Sequence, residues 1–266
     1  SLICENLKRN FPDAEVHYLI NRFTLPVVDN NPYIDKFIIF EDEYRQNKIK
    51  FYRFLIQISK SKYTHVFDAY AKLESILISY FSKAPHKYGF EKFYTKLIYE
   101  KTVKFQNKSK AEAGTAIEDR LRLLQLLPHS KVFNNKPKIY LTKSEIKTAQ
   151  IKLSKAGLSS KSCIMISALG SNMSKTYPLN YMAEILDVIV KKISPYLILN
   201  FMPNQQSEID ELISYCKPET QKQIVIDIEM RSLRDFMGIC QQCQAIIGNE
   251  GGAINIAKAL EVPSFS

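Results

Sequence analysis

The chain has 266 residues, 45% of them hydrophobic, which is enough for a packed globular protein and long enough for two domains. No apolar run approaches the length of a membrane span, and five scattered cysteines make no disulfide framework, which points to a reducing compartment. The formal net charge is +10, and residues 1–134 carry 22 Lys+Arg against 15 Asp+Glu, so the first half favours anionic partners unless its lysines serve only solubility.

Leu2, Ile3, Leu7 and Phe11 fit one helix face ended by Pro12, and residues 14–20 read as a strand. A parallel α/β domain normally begins with a strand, so a strand ahead of Ser1 is expected. Residues 30–40 read as a turn and a strand, 51–59 as a helix, 64–67 as a strand ending at Asp68, and 72–81 as a helix.

In residues 83–110, Lys83, Lys87, Lys92, Lys96, Lys101, Lys104, Lys108 and Lys110 interleave with Tyr88, Phe90, Phe93, Tyr94, Tyr99 and Phe105. Such a stretch can line a groove for a phosphorylated chain, bind single-stranded nucleic acid, rest on a membrane interface, or simply form a solvated loop. A helix over 116–127 ends at Pro128, and residues 128–138 read as a domain linker.

A second α/β series follows: a helix over 144–156 with Ser144 as its cap, a strand over 163–168, a polar loop over 170–178 and a helix over 179–193. Next come a strand over 196–201, a helix over 207–216, a strand over 224–228 and a helix over 232–243. Cys240 and Cys243 form a C-x-x-C pair with no second pair or nearby histidine, so core packing is expected there rather than zinc or redox chemistry. Ala245, Ile246 and Ile247 form a buried strand, then Gly248, Gly251 and Gly252 surround a turn into a helix closed by Pro263. Bare N–H groups at such a turn suit a phosphate, although a glycine-rich turn can also serve packing alone. Polar loops at 169–175, 202–206 and 248–252 all follow strands, where parallel sheets bind ligands.

The run Gly248-Asn-Glu-Gly-Gly-Ala-Ile-Asn-Ile-Ala-Lys-Ala-Leu-Glu-Val-Pro263 resembles the G-N-D-S/T-G-x-x-H-x-A-x-A-L-x-V-P signature of glycosyltransferase family 9, the heptosyltransferase-like enzymes. Asn10-Phe-Pro-Asp-Ala-Glu-Val16, Asn31-Pro-Tyr-Ile-Asp35 and residues 167–178, with their Lys175-Thr-Tyr-Pro178 ending, also resemble that family, in the right order.

The resemblance implies an α/β GT-B architecture of two Rossmann-like domains facing a cleft, residues 1–134 for the acceptor and 135–266 for a nucleotide-sugar donor. It implies inverting transfer, with heptose from ADP-heptose to the lipopolysaccharide inner core as the leading substrates. No cofactor or metal is implied. The enzyme would be a cytoplasmic monomer in peripheral contact with the inner membrane, with no nucleic-acid partner.

By the same resemblance, Lys175 is a phosphate-binding lysine, and Ser171 a hydroxyl of its loop. Glu250, Gly251 and Gly252 hold the diphosphate, Asn255 stands beside them, and Gln205 falls near the ribose. Asp68, Lys72, Arg120 and Arg122 are acceptor candidates, although a solvated helix face explains the basic ones equally well. The pattern departs at Asn255 for histidine, Gly251 for Ser/Thr and Glu250 for Asp, which bears on the choice of donor. The family's aspartate base would lie upstream of Ser1, and a returning C-terminal segment beyond Ser266, so inefficient transfer is expected of these residues alone. A nucleotide-sugar 2-epimerase and a non-enzymatic binder of anionic glycolipid or nucleic acid are the rival readings.

Overall fold

A computed structural model describes residues 2–106, 115–158, 162–170 and 172–266. Contacts divide the chain into two compact units, Ser1–Leu25 with Asn31–Pro137, and Pro26–Asn30 with Lys138–Ser266.

In the first unit α1 (Leu2–Asn10) leads to β1 (His17–Asn21), then to the short α2 (Leu25–Val28) that runs across the division. β2 (Lys36–Phe40), α3 (Glu43–Gln46), α4 (Lys48–Lys60), β3 (His65–Asp68) and α5 (Leu73–Phe81) follow. The unit closes with β4 (His86–Phe90), β5 (Lys101–Val103) and α6 (Thr115–Arg122). β1 and β2 form one parallel pair, and β3-β4-β5 a separate parallel sheet.

Two of these strands, β4 and β5, lie inside the basic aromatic stretch and lack an apolar run. Only alternate residues Tyr88 and Phe90, with Gly89 between them, are buried in β4. Gly89 is needed there because a Cβ would stand 2.3 Å from the Tyr99 ring. Residues 131–134 of the expected linker are strapped to α1 instead. Asn6, fully buried, donates to Asn134 O at 2.8 Å and accepts from Phe133 N at 2.7 Å, and Asn10 exchanges two bonds with Lys131.

The second unit contains α7 (Lys143–Lys155), β6 (Cys163–Ser167), α8 (Leu179–Ile193), β7 (Tyr196–Leu199), α9 (Gln206–Tyr215) and α10 (Pro218–Gln221). After these come β8 (Ile224–Val225), α11 (Leu233–Gln242), β9 (Ala245–Gly248), α12 (Gly252–Ala259) and β10 (Ser264–Phe265). The strands form one parallel sheet in the order β10-β9-β6-β7-β8. Period-two alternation sends Ile164 and Ile166 of β6 into a core with Leu179, Met182 and Leu186 of α8. Cys163 and Met165 enter the opposite core with Ala149, Met237 and Ile254. Each large apolar side chain so buried contributes about 2 kcal/mol.

The cap of α7 is Thr142 rather than Ser144. Its hydroxyl accepts from Glu145 N at 3.2 Å, while Glu145 accepts from Thr142 N at 2.7 Å. Ser144 stands one residue inside the helix. All five cysteines are buried and outside any disulfide, and burial pushes the Cys240 thiol up to about 12, which removes thiolate chemistry at neutral pH.

Glu145 also receives Arg234 of α11 through two bonds of 2.7 Å, and Arg234 donates onward to Tyr140 O and Pro26 O. The Arg234 hydrogen bonds hold the Glu145 carboxyl down at about 2 against burial. Glu145→Gln therefore lowers stability by about 2 kcal/mol at neutral pH in urea unfolding. A carboxyl held below its ordinary 4.5 gives its stabilisation in full above that value and loses it as pH falls from 4.5 towards 2. The variant accordingly flattens the acid limb of the stability profile within that window.

Candidate nucleotide-sugar site

The second unit's parallel sheet brings the ends of β6 and β9 side by side, with Ser167 opposite Gly248. Gly248 is obligatory. Its φ is +149°, and a Cβ would stand 2.0 Å from Ser167 O. The chain then turns through Asn249, whose amide donates to Ser167 O at 2.9 Å. The Asn249 carboxamide donates to Ala168 O at 2.5 Å and accepts from Tyr177 N at 2.7 Å. One side chain thus ties both limbs of the loop after β6 to the turn after β9.

That loop has its own scaffold. Gly170 lies so close to Lys175 O that a Cβ would approach it to 2.3 Å. Gly170 N donates to the Thr176 hydroxyl at 3.0 Å, which donates to Asn172 O at 2.9 Å. The Asn172 carboxamide accepts from Lys175 N at 3.1 Å and from the Ser174 hydroxyl at 2.8 Å. Lys175 ends a single 3-10 turn, exposed, and its ammonium has no partner among the described residues. Ser171 lies outside the described residues.

Gly251 and Gly252 differ from Gly248 in kind. Gly251 is extended, with φ 173°, and a Cβ at Gly252 would meet nothing within 4 Å among the described residues. Packing requires neither, so their effect is to leave bare backbone at the start of α12. The first bond inside that helix runs from Asn255 N to Gly251 O, so the amides of Gly252, Ala253 and Ile254 precede it. Asn255 is exposed in this first turn. Glu250, which would repel an anion, is drawn to Lys258 at 3.7 Å and accepts from the Ser266 hydroxyl at 2.7 Å. Gln205 follows β7 on the other side of β6, and its side-chain oxygen accepts from Met202 N at 2.9 Å.

In the first unit Asp68 ends β3, buried. Its carboxylate accepts from Tyr70 N, Ala71 N, the Ser75 hydroxyl and the Tyr99 hydroxyl, the last at 2.5 Å. All its lone pairs are directed inward, so it fixes the loop and the start of α5. Burial, aided by the Asp68 charge, pushes the Tyr99 phenol well above its ordinary value, so it remains a donor. Lys72 caps α5, exposed, with its ammonium 5.9 Å from the Tyr70 ring. Arg122 donates to Lys104 O at 2.6 Å and pairs with Asp119, whereas Arg120 among the described residues is held only by Ala116 O at 3.2 Å. Lys108 and Lys110 lie outside the described residues.

Asn249 and Thr176 are the positioning residues that composition and periodicity did not single out. An asparagine directly after a strand-ending glycine was the available signal. Among the described residues no group of three His, Cys, Asp or Glu side chains could hold a metal ion.

The family model described as glycosyltransferase family 9 (heptosyltransferase) matches residues 51–266. The structure is similar to a glycosyl transferase family 9 protein from Veillonella parvula, with 17% identity, TM-score 0.85, and coverage of 99% of this chain and 76% of that one. It is similar to E. coli ADP-heptose lps heptosyltransferase II, with 16% identity, TM-score 0.71, and coverage of 98% and 77%. E. coli heptosyltransferase WaaC with ADP-2-deoxy-2-fluoro heptose matches with 13% identity, TM-score 0.69, and coverage of 98% and 81%. No curated protein matches the sequence. At these identities the structural likeness shows the fold, the α/β architecture expected from the sequence.

The two kinds of glycine are separable by denaturant unfolding. Gly248→Ala costs at least about 2 kcal/mol through strain and clash with Ser167. Gly251→Ser stays within about 0.5 kcal/mol of the parent.

Proposed function

The chain belongs to glycosyltransferase family 9, and from that premise we propose an inverting, metal-independent enzyme that moves heptose from ADP-heptose to the lipopolysaccharide inner core. The observation that carries the donor side is the Asn249 bridge, which sets the Lys175 turn beside the open start of α12. A diphosphate there meets backbone N–H groups and one mobile point charge, the two elements that stabilise departing phosphate charge. The solved relatives carrying ADP-heptose and heptosyltransferase in their descriptions support this choice of donor and sugar.

In the transfer, a general base takes the proton of an acceptor hydroxyl. Its oxygen bonds to the anomeric carbon as the bond from that carbon to the diphosphate oxygen breaks on the opposite face. The electron pair leaves with the diphosphate, where Lys175 and the Gly252 and Ala253 amides receive it. Asn255 and Gly251 adjust the donor's fit, and Gln205 shapes the loop after β7. The base is assigned to no residue of 1–266. Lys72, on the loop whose form Asp68 sets, and Arg120 and Arg122 of α6 meet acceptor phosphates.

The protein works as a monomer on the cytoplasmic face of the inner membrane, without a cofactor. Among the described residues no helix is long and apolar enough to cross a membrane, so contact there would be peripheral. The 2-epimerase reading would call on histidines for proton abstraction, and the chain's four, at positions 17, 65, 86 and 129, all belong to the first unit.

Titration calorimetry with ADP-, UDP- and GDP-sugars tests the assignment. Lys175→Ala weakens binding of the preferred donor by roughly tenfold or more while leaving the fold intact. Unchanged affinity in that variant contradicts the donor site.

A further inference from the structure

Residues 91–99 leave the sheet after β4 and return to β5, and this excursion holds large apolar side chains out in solvent. Phe93 is 99% exposed and Leu97 94% exposed. Isolated exposed apolar residues are ordinary, but Tyr70, on the loop after the neighbouring strand β3, and Leu73, at the start of α5, are exposed as well. The Lys92 ammonium donates to Ala71 O and so links the two loops at the carboxyl end of one sheet.

The excursion is braced from within. Thr95 is fully buried, accepts from Lys92 N at 2.7 Å and donates to Phe90 O at 3.0 Å. Tyr99, also buried, closes on Asp68. The apolar tips are therefore held out by a fixed scaffold. Lys92, Lys96 and Lys104, together with Phe93, line an open depression of about 500 Å³, where Glu91, the one carboxylate among the described lining residues, pairs with Lys96 at 3.3 Å.

We propose that this edge is a membrane-docking surface, with Phe93 and Leu97 entering the bilayer interface and the lysines meeting anionic lipid headgroups. Apolar tips surrounded by lysines match such a surface in both hydrophobic and electrostatic terms. Leu97 and Leu73 have no face on which a base could stack, which disfavours single-stranded nucleic acid as the occupant. The inference deepens the peripheral membrane contact proposed above and rests on that reading for the acceptor, which would then emerge beside Lys72.

The chain contains no tryptophan, so Phe93→Trp is a single reporter at the tip. With phosphatidylcholine vesicles containing phosphatidylglycerol, its emission shifts to the blue and is shielded from an aqueous quencher. Neutral vesicles give a weaker response, and salt diminishes the anionic one. In sedimentation, the double variant Phe93→Ser with Leu97→Ser loses roughly tenfold or more of the vesicle partition coefficient, at an unchanged melting temperature. An unshifted reporter, a double variant that binds like the parent, or an RNA oligonucleotide that reproduces the shift and displaces vesicles each overturns the proposal. No donor or acceptor is present in these measurements, so their failure is distinct from failure of the transferase assignment.

Discussion

The Asn249 carboxamide bridges Ala168 and Tyr177, and the geometry of the loops after β6 and β9 follows from that bridge. Two parallel strands end at the same level, but their following loops have no intrinsic reason to stay together. A side chain that donates to one limb of the loop and accepts from the other fixes the loop's mouth. Gly248 allows the contact, because any side chain there would collide with Ser167 O. The Lys175 turn then sits on a braced loop, its backbone already ordered.

The glycines near this turn have separate duties. Gly248 and Gly170 are dictated by close backbone approach within the protein. Gly251 and Gly252 are dictated by nothing the described residues place there, and space remains around both. Substituting Ser/Thr by Gly251 therefore removes a hydroxyl from the site without altering the fold. Glu250 raises a similar question of charge, which Lys258 and Ser266 partly resolve by drawing the carboxylate aside.

Much of the second unit was legible in the sequence because its strands are covered on both faces and read as plain apolar runs. The helix over 179–193 and the strand before the glycine turn are cases where the pattern and the structure coincide. The first unit was less legible. β4 mixes His86, Lys87 and Gly89 with two buried aromatics, so its pairing with β3 depends on partners distant in sequence. The cap of α7 was misplaced because Ser144 and Thr142 are both good caps, and Glu145 selects the residue three positions before it. Asp68 and Arg122 have the residue types of ligand contacts, yet their bonds to Tyr99 and Lys104, distant in sequence, were invisible without the fold. The loops after β6 and β9 were legible as polar strand ends, but the role of Asn249 as their tie required the register between β6 and β9.

The location of a nucleoside diphosphate bound to the full chain tests this account most directly. A crystal structure of the ADP complex should place the diphosphate oxygens within hydrogen-bonding distance of the Gly252 and Ala253 amides and of the Lys175 ammonium, with the Asn249 bridge intact. A diphosphate seated away from the loops after β6 and β9, such as among Lys92, Lys96 and Lys104, would contradict it.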